Sequence, residues 1–477
     1  MGIAELLFYA TYIGGAFALS VAAVLGFGLF LQTERSLGRW IVPVLIPLIT
    51  LGISLGALLS KRNLTYASFS IESINVGGEE AGGGWLLRII SFTLVGLCGA
   101  KIVGQLLQKK PRTTQDGSSL FIAFVAFFVA NAVLNSAFGS HPAFIHNSLY
   151  AIALFAAVYL ARHEPLDRTI HFAKLALLGL MVLSLVAAAV KPEIAIQPSY
   201  KGWIPGLSIR LWGLGSNPNS IGPLALLLLL LEAMQPFGNR WLHWGTFLVT
   251  LVVFTLAQSK TVWLAALVCV LIVVWYRYGK SAKGGISLAA ALGLVMLLLI
   301  CTVGLAFVDP DRLWQKITFT QAGNDISTLT GRSQIWLAAV EVWRADPFFG
   351  YGPTGWGPEH RIQLGLPFAF TAHNQFLQSL SVAGGLGAVT LVAYVAILGA
   401  GAVRAAQWTR GISLALFANI IVRSVTEAPL AFGTILNGDF LTHLMLFAIA
   451  LRRSDELKPS ADTLPNRAFP NTKPVLQ

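Results

Sequence analysis

Long runs of apolar residues, separated by shorter polar stretches, dominate the pattern along the chain. A helix that crosses the roughly 30 Å hydrocarbon core of a bilayer needs about 20 apolar residues, and most of the runs are close to that length. The candidate spans are 5–31, 40–59, 86–108, 118–138, 144–162, 169–190, 219–235, 241–259, 261–277, 285–308, 374–402, 411–427 and 437–451. The pattern predicts an all-α polytopic membrane protein with about 12–13 transmembrane helices, and one of the two short spans at the end could be re-entrant.

The composition agrees with this prediction. Of the 477 residues, 55% are hydrophobic and only 11% are charged, whereas soluble domains carry about 25% charged residues. The net charge of +12 is scattered between the apolar runs rather than gathered in one patch, so it does not indicate a nucleic-acid partner. The three cysteines form no CxxC pair, which argues against a thiolate metal site.

The basic residues between the spans predict the orientation of the chain, because cytoplasmic loops are enriched in Lys and Arg. If the helices alternate in direction, the predicted cytoplasmic side carries Arg35, Arg39, Lys109, Lys110, Arg112, Arg162, Arg168, Arg240, Arg277, Lys280, Lys283, Arg404, Arg410, Arg452 and Arg453. The opposite side receives the polar segments 60–85, 191–217 and 309–372. A thirteen-helix count places the N-terminus on that opposite side as well.

The same pattern divides the chain into four parts. Residues 1–308 are predicted to form an N-terminal transmembrane bundle, and 373–453 the C-terminal transmembrane helices. Between them, 309–372 is a long extracytoplasmic loop, too long for a plain connection and rich in Trp and Phe. Residues 454–477 lack periodicity and are predicted to be a disordered cytoplasmic tail.

An amphipathic helix is predicted inside the long loop near 331–345. Trp336, Ala339, Val340 and Trp343 recur at helical spacing, and the run stops at Asp346-Pro347. Thr330 is a plausible N-cap for this helix.

Arg332 lies in the first turn of this predicted helix. A cation there opposes the helix dipole by about 0.3–1 kcal/mol, and position 336 offers no acidic neighbour. The arrangement makes sense if an anion binds at the helix start, where backbone N–H groups and the guanidinium would contact the same phosphate. The alternative is an interfacial arginine that reaches lipid headgroups.

Two further cations fall on the same predicted side of the membrane. Lys260 stands between two apolar runs, as either a simple turn residue or an anion ligand. Arg210 belongs to a Gly- and Asn-rich segment that enters the span 219–235, with Asn219 as a possible N-cap. Together with Arg332, these residues predict a site for a polyanion.

His373 stands where the polar loop ends and the span 374–402 begins. Histidine is the side chain best suited to transfer a proton near neutral pH, although one at a helix end can also be a structural hydrogen-bonding residue. Gly384 and Gly387 follow in the same span and would let another helix approach closely. Arg423 and Glu427, four residues apart, are predicted to pair with each other in a structural role.

Metal chemistry finds little support. The histidines show no HxH or HExxH spacing, and Asp309 with Asp311 is the only near approach to a carboxylate cluster. We therefore predict neither a metal nor a cofactor.

These motifs together resemble the O-antigen ligase family of bacteria. His373-Asn374, then nine residues, Gly384, two residues and Gly387 match that family's pattern His-(Asn/Ser/Gln)-nine residues-Gly-two residues-(Gly/Thr/Tyr). Three further segments are similar to the wider ligase and polymerase superfamily. They are Gly331-Arg332-Ser333-Gln334-Ile335-Trp336, Asp346-Pro347-Phe348-Phe349-Gly350-Tyr351-Gly352 and Ser259-Lys260. The resemblance covers residues 210–387. It departs from the family at Lys260, where Arg is expected, because lysine keeps the charge but loses the bidentate fork.

The resemblance implies a GT-C-like glycosyltransferase of the bacterial inner membrane, with its active site facing the periplasm. Such an enzyme moves a glycan from undecaprenyl pyrophosphate to a sugar hydroxyl of lipid A–core, by direct displacement with inversion and without a metal. Its partners are therefore the lipid-linked glycan, the lipid A–core acceptor and membrane lipids.

The residues expected to carry this reaction fall into three groups. His373 would be the base, and Arg332 would act beside it on the leaving group. Arg210, Lys260 and Arg332 would bind the diphosphate, and Asn374, Trp336, Gly384 and Gly387 would support the site.

Three other functions remain open from the sequence. An O-antigen or exopolysaccharide polymerase would share the donor, the loop and the histidine but use a second lipid-linked glycan as acceptor, and a protein-directed oligosaccharyltransferase belongs to the same group. A lipid-linked oligosaccharide flippase or other transporter is a different class. It would place charges near the bilayer midplane, whereas the charges singled out above lie at helix ends.

Overall fold

The apolar runs fold as helices. A computed structural model describes residues 18–65, 84–107, 117–279 and 332–452, apart from positions 19, 34, 61, 201, 203 and 205. The helices of these residues are α1 (Ser20–Thr33), α2 (Ile41–Leu59), α3 (Gly84–Leu106), α4 (Ser118–Phe138), α5 (His146–Leu160), α6 (Leu166–Val190), α7 (Pro218–Met234), α8 (Arg240–Leu256), α9 (Lys260–Gly279), α10 (Arg332–Ala345), α11 (Pro358–Gln363), α12 (Gln375–Ala405), α13 (Ile412–Ser424) and α14 (Gly438–Ala450). Single-turn helices occur at Arg35–Gly38 and Pro192–Ala195.

The predicted all-α polytopic fold is confirmed. Within the described ranges the strands are β1 (Ile196–Gln197) and β2 (Arg210–Leu211), which pair antiparallel. Helices α2, α3, α4, α6, α9 and α12 are long and apolar enough to cross a membrane, and six further helices are apolar but shorter.

Eleven of the predicted spans coincide with one of these helices, and the predicted span 5–31 overlaps α1 over 20–31. Residues 5–17 of that span lie outside the described residues. The predicted span 285–308, the loop residues 309–331 and the predicted tail 454–477 lie outside the described residues.

Helix α7 lies at the centre of the bundle. Its leucine-rich sequence is apolar on every side, and nearly all of its residues are buried, as expected for a helix enclosed by others. Helices α6, α8, α9, α13 and α14 pack around it. Helices α3, α8 and α9 expose large apolar side chains, among them Phe92, Leu248 and Leu264. Such side chains are stable on the outside of the bundle because lipid surrounds it.

Helix α12 bends at Gly384, which has φ +66° inside the helix. The segment 347–352 lies against this bend: the Gly385 N–H donates to the Pro347 carbonyl over 2.7 Å, and the Tyr351 N–H donates to the Ser381 carbonyl over 2.9 Å. A side chain at Gly384 would overlap the Phe348 carbonyl. Gly384 therefore admits a loop and not the second helix that the sequence led us to expect.

Gly387 does lie against another helix. Asn131, in a π-helical turn of α4 at Val129–Leu134, donates from Nδ2 to the Gly387 carbonyl over 3.2 Å. The close approach predicted for this glycine is thus present between α4 and α12.

Residues 332–372 form a small apolar unit that lies on the first turns of α12. Ile335, Ala339, Trp356, Leu366, Ala369 and Ala372 make up its buried cluster. Helix α10 begins at Arg332 and ends at Ala345, close to the predicted bounds, but its buried face is Ile335, Ala339 and Val342. Trp336, predicted to lie on the apolar face, is only half-buried. The face that packs on the unit is centred one residue earlier in the sequence than the predicted face. The N-cap predicted at Thr330 lies outside the described residues.

Alternating helix directions bring several helix ends together. The N-terminal ends of α7, α9, α10 and α12 meet the segment that follows α13, through contacts of Asn219, Ser259, Arg332 and Asn374. This end of the bundle carries the candidate site. At the other end, Arg277 donates to the Ala233 carbonyl.

Candidate functional site

The Glu427 carboxylate is the centre of the site. It lies three residues past the end of α13, where its side chain is 16% exposed. Its Oε1 accepts hydrogen bonds from Arg332 Nη2 and from Asn219 Nδ2, each 3.0 Å long. Its Oε2 lies 3.1 Å from His373 Nδ1. One carboxylate thus joins three segments that are far apart in sequence.

His373 is held in an unusual backbone conformation just before α12. Its φ is +46°, a left-handed value that costs a non-glycine residue free energy and that surrounding contacts must stabilise. Asn374 supplies part of this support: its Oδ1 caps α12 by accepting from the Leu377 N–H over 3.0 Å, and its Nδ2 donates to the Val425 carbonyl over 3.2 Å. The imidazole is therefore directed at Glu427 by the backbone as well as by its own hydrogen bond.

The hydrogen bond to Glu427 assigns the tautomer of His373. A carboxylate can only accept, so Nδ1 carries the proton, and in the neutral imidazole Nε2 has a lone pair. With a quarter of the side chain exposed, this ring can take up a proton from an incoming group while the carboxylate stabilises the imidazolium.

Asn219 links Arg210 to the same network. Its Oδ1 accepts from Arg210 Nη2 over 3.2 Å and from Ser259 Oγ over 2.9 Å, while its Nδ2 donates to Glu427. Arg210 also donates from Nε to the Ala257 carbonyl over 3.1 Å, and its guanidinium lies over the Tyr200 ring. Arg210 and Arg332 thus belong to one hydrogen-bonded site, although 122 positions separate them in the sequence.

The cap predicted at Asn219 is wrong. Helix α7 begins two residues earlier than that cap requires, with Asn217 as N-cap residue and Pro218 at the first helical position, where the missing N–H of proline costs nothing. The Asn219 side chain is consequently free to bridge the site.

Lys260 is the first residue of α9 and is half-buried. Its neighbours attach it to the site: Ser259 donates to Asn219, and Thr261 Oγ1 lies 2.9 Å from Thr426 Oγ1, next to Glu427. The structure therefore brings the backbone at Lys260 to the segments that hold Arg210 and Glu427.

The predicted pairing of Arg423 with Glu427 is wrong. Arg423, which is buried, donates from Nη1 to Asp439 and from Nη2 to the Asn219 carbonyl over 3.1 Å. Helix α13 ends at Ser424, so Glu427 lies beyond the helix and its side chain turns to Arg332 and His373. The acidic partner that Arg332 lacks within its own helix is therefore Glu427.

Another arginine, Arg62, holds the loop that carries Arg210. It donates from Nε to the Ile194 carbonyl and from Nη1 to the Gly215 carbonyl, each over 2.7 Å, and from Nη2 to the Gly213 carbonyl. One guanidinium thus joins both ends of the segment 194–215, and burial lowers its pKa to about 10. The sequence offered no sign of this contact, since the partners are backbone carbonyls.

The electrostatics of the site keep Glu427 ionised. Burial raises the pKa of the Glu427 carboxyl, but the hydrogen bond and charge of His373 and the charges of Arg332 and Arg423 outweigh it, and the pKa lies below its ordinary value. Burial also lowers the pKa of Arg210, against the opposing effect of Tyr200 and Glu427.

Within the described residues, no group of three or more His, Cys, Asp or Glu side chains is placed to hold a metal ion. The predicted absence of a metal and a cofactor stays a prediction.

Comparison with models of protein families gives a match. A search of curated proteins returned none. The family model described as O-Antigen ligase matches residues 245–392. This segment runs from α8 into α12 and holds Lys260, Arg332 and His373, whereas Arg210 and Glu427 lie outside it. The match confirms the resemblance predicted from the motifs: residues 245–392 of this polytopic membrane protein are similar to the O-antigen ligase family.

Proposed function

We propose that the protein is an O-antigen ligase of the bacterial inner membrane, with a GT-C-like architecture and its site facing the periplasm. It transfers a glycan from undecaprenyl pyrophosphate to a sugar hydroxyl of lipid A–core. The observation that carries the proposal is the pair of hydrogen bonds by which Glu427 holds both His373 and Arg332. A base for the acceptor hydroxyl and a cation for the leaving group are thus side by side.

His373 acts on the acceptor. The acceptor hydroxyl gives its proton to Nε2 of His373 as its oxygen attacks the anomeric carbon of the donor sugar. Because Nδ1 stays bound to the Glu427 carboxylate, the resulting imidazolium has a counter-charge in contact with it. The imidazolium later releases the proton to solvent.

Arg332, Arg210 and Lys260 act on the leaving group. The bond between the anomeric carbon and the diphosphate oxygen breaks as the new glycosidic bond forms, so the configuration inverts. Negative charge then develops on the departing undecaprenyl diphosphate. Arg332 uses Nη2 for Glu427, which leaves most of its five N–H donors for phosphate oxygens. Interactions of this kind, aimed at developing charge, lower the barrier.

The decisive experiment uses purified protein in detergent. Undecaprenyl-pyrophosphate glycan is supplied with lipid A–core or, separately, with a second portion of donor as the only acceptor. A glycan attached to lipid A–core supports the ligase, whereas a lengthened lipid-linked glycan identifies a polymerase. A flippase would give neither product, since no compartments exist in detergent.

The role of His373 is tested with His373→Gln. General-base assistance is worth about 10²–10⁴-fold in rate, so the variant should keep its thermal stability and lose transfer by that factor. His171→Gln, an exposed histidine on α6, is the matched control and should transfer normally. Near-normal transfer by a folded His373→Gln protein would rule out the histidine as base.

A further inference from the structure

Arg361 in α11 is a buried cation, two of whose guanidinium nitrogens have no hydrogen-bonding partner among the described residues. The residue is 4% exposed, and its Nε and Nη1 are enclosed but form no hydrogen bond. The guanidinium lies over the Phe370 ring, whose centroid is 4.1 Å from the guanidinium carbon. The ring covers one face of the guanidinium but cannot satisfy N–H donors, which lie in the guanidinium plane.

Two other arginines of the described part do have hydrogen-bonding partners. Arg423 binds Asp439 and the Asn219 carbonyl, and Arg62 binds backbone carbonyls of the segment 194–215. A buried charge that lacks such partners is costly to the fold. Arg361 therefore has the properties of a residue that awaits an anion.

Arg361 lies near the proposed reaction centre but outside its network. Phe370 precedes His373 by three residues, so their Cα atoms are at most about 11 Å apart. No hydrogen bond between described residues joins Arg361 to Glu427, Arg332 or Arg210. Arg361 is thus a cation outside that network, in contact with the segment that leads to the base.

We propose that Arg361 binds an anionic group, phosphate or carboxylate, on the acceptor glycolipid. The inference rests on the proposed function and names a further contact of that site. The donor diphosphate already has Arg332, Arg210 and Lys260, and the acceptor must approach His373 from elsewhere. A guanidinium stacked on Phe370 is restrained in orientation and keeps N–H donors that have no acceptor among the described residues, which suits recognition of a phosphate or carboxylate.

The test compares Arg361→Met with the wild type and with Arg344→Met, an exposed arginine on α10. The KM for lipid A–core should rise about tenfold to a hundredfold in Arg361→Met, as expected for a lost charge-assisted contact, while kcat and the donor KM stay within about twofold. Removing the phosphates of the acceptor, or amidating its carboxylates, should abolish the difference between wild type and variant in one of the two cases. A difference that survives both treatments overturns the proposal.

Thermal unfolding separates recognition from a structural role. Without ligand, Arg361→Met should unfold at the wild-type temperature or above it, because an unpaired buried charge is replaced by an apolar side chain of similar length. Added lipid A–core should raise the unfolding temperature of the wild type more than that of the variant. A large loss of stability in the variant, a rise in the donor KM alone, or an unchanged acceptor KM would each contradict the assignment. Since the shift needs no turnover, it still reports on Arg361 if the ligase assay fails.

Discussion

Glu427→Gln removes one charge from the centre of the site with almost no change in shape. The amide oxygen can still accept from Arg332 and Asn219, which share Oε1. The amide nitrogen would replace Oε2 and cannot accept from His373 Nδ1. The variant therefore removes the hydrogen bond that supports His373 but keeps those from Arg332 and Asn219.

The size of the effect follows from that contact. A hydrogen bond to a charged group is worth about 1.5–3 kcal/mol, and both side chains keep some exposure, 25% for His373 and 16% for Glu427. Since about 1.4 kcal/mol corresponds to a tenfold change in rate, kcat should fall about tenfold to a hundredfold. The donor KM should not rise, because Arg332 is less tightly held by its carboxylate and remains free to bind phosphate.

The assay is initial-rate ligation in detergent at varied donor concentration, with thermal unfolding of each protein. Glu341→Gln, which neutralises an exposed carboxylate on α10, is the matched control and should behave as the wild type. A folded Glu427→Gln protein with unchanged kcat would refute the role of Glu427 in supporting the base. A raised donor KM at constant kcat would show instead that Glu427 only positions the cations.

Three further predictions concern charge, backbone and pH. Arg332→Lys should lose ligation nearly as fully as Arg332→Ala, because one ammonium cannot contact both Glu427 and a diphosphate in a fork; full activity of the Lys variant would favour a simple electrostatic role. Gly384→Ala should lower the free energy of unfolding by about 2–4 kcal/mol, since φ is +66° and a Cβ would meet the Phe348 carbonyl, whereas Gly179→Ala, with open space around it, should be neutral or slightly stabilising; equal unfolding temperatures would contradict this. The lowered pKa of Glu427 means that its charge stabilises the fold above the ordinary glutamate pKa of about 4.3 and that this stabilisation is lost as the pH falls through the lower folded value. The difference in unfolding temperature between wild type and Glu427→Gln should thus be constant near neutral pH and shrink below about pH 4.3; a difference unchanged at pH 3 would argue against it.

Most of the fold could be predicted from the sequence because the solvent dictates it. In lipid, every backbone polar group must be satisfied within the chain, so a long apolar run has little alternative to a helix. The span predicted at 118–138 is the helix Ser118–Phe138. What periodicity could not show is the bend of α12, because Gly384 looks the same in sequence whether a helix or a loop lies against it.

The site was predictable in its cations and its histidine but not in the group that joins them. Arg332 and His373 stand out because polar residues at the ends of apolar runs are conspicuous. Glu427 was assigned to Arg423 because the two are four residues apart, a rule that holds only inside a helix. Since α13 ends at Ser424, the rule did not apply. A glutamate at the very end of an apolar run, followed within two residues by Pro429, was the available signal.

The proposed polyanion site is compatible with a chain of so few charges because the helix directions concentrate positive potential at one end of the bundle. Helices α7, α9, α10 and α12 all begin at the site, and each helix N-terminus contributes the equivalent of roughly half a positive charge. Arg210, Lys260 and Arg332 add to this field. Glu427 is the counter-charge that makes the assembly stable before a substrate binds, and its position decides which groups it serves. Because the same carboxylate holds His373 and Arg332, the proposed proton acceptor and the proposed leaving-group site keep a fixed relation to each other, which a displacement at one carbon atom requires.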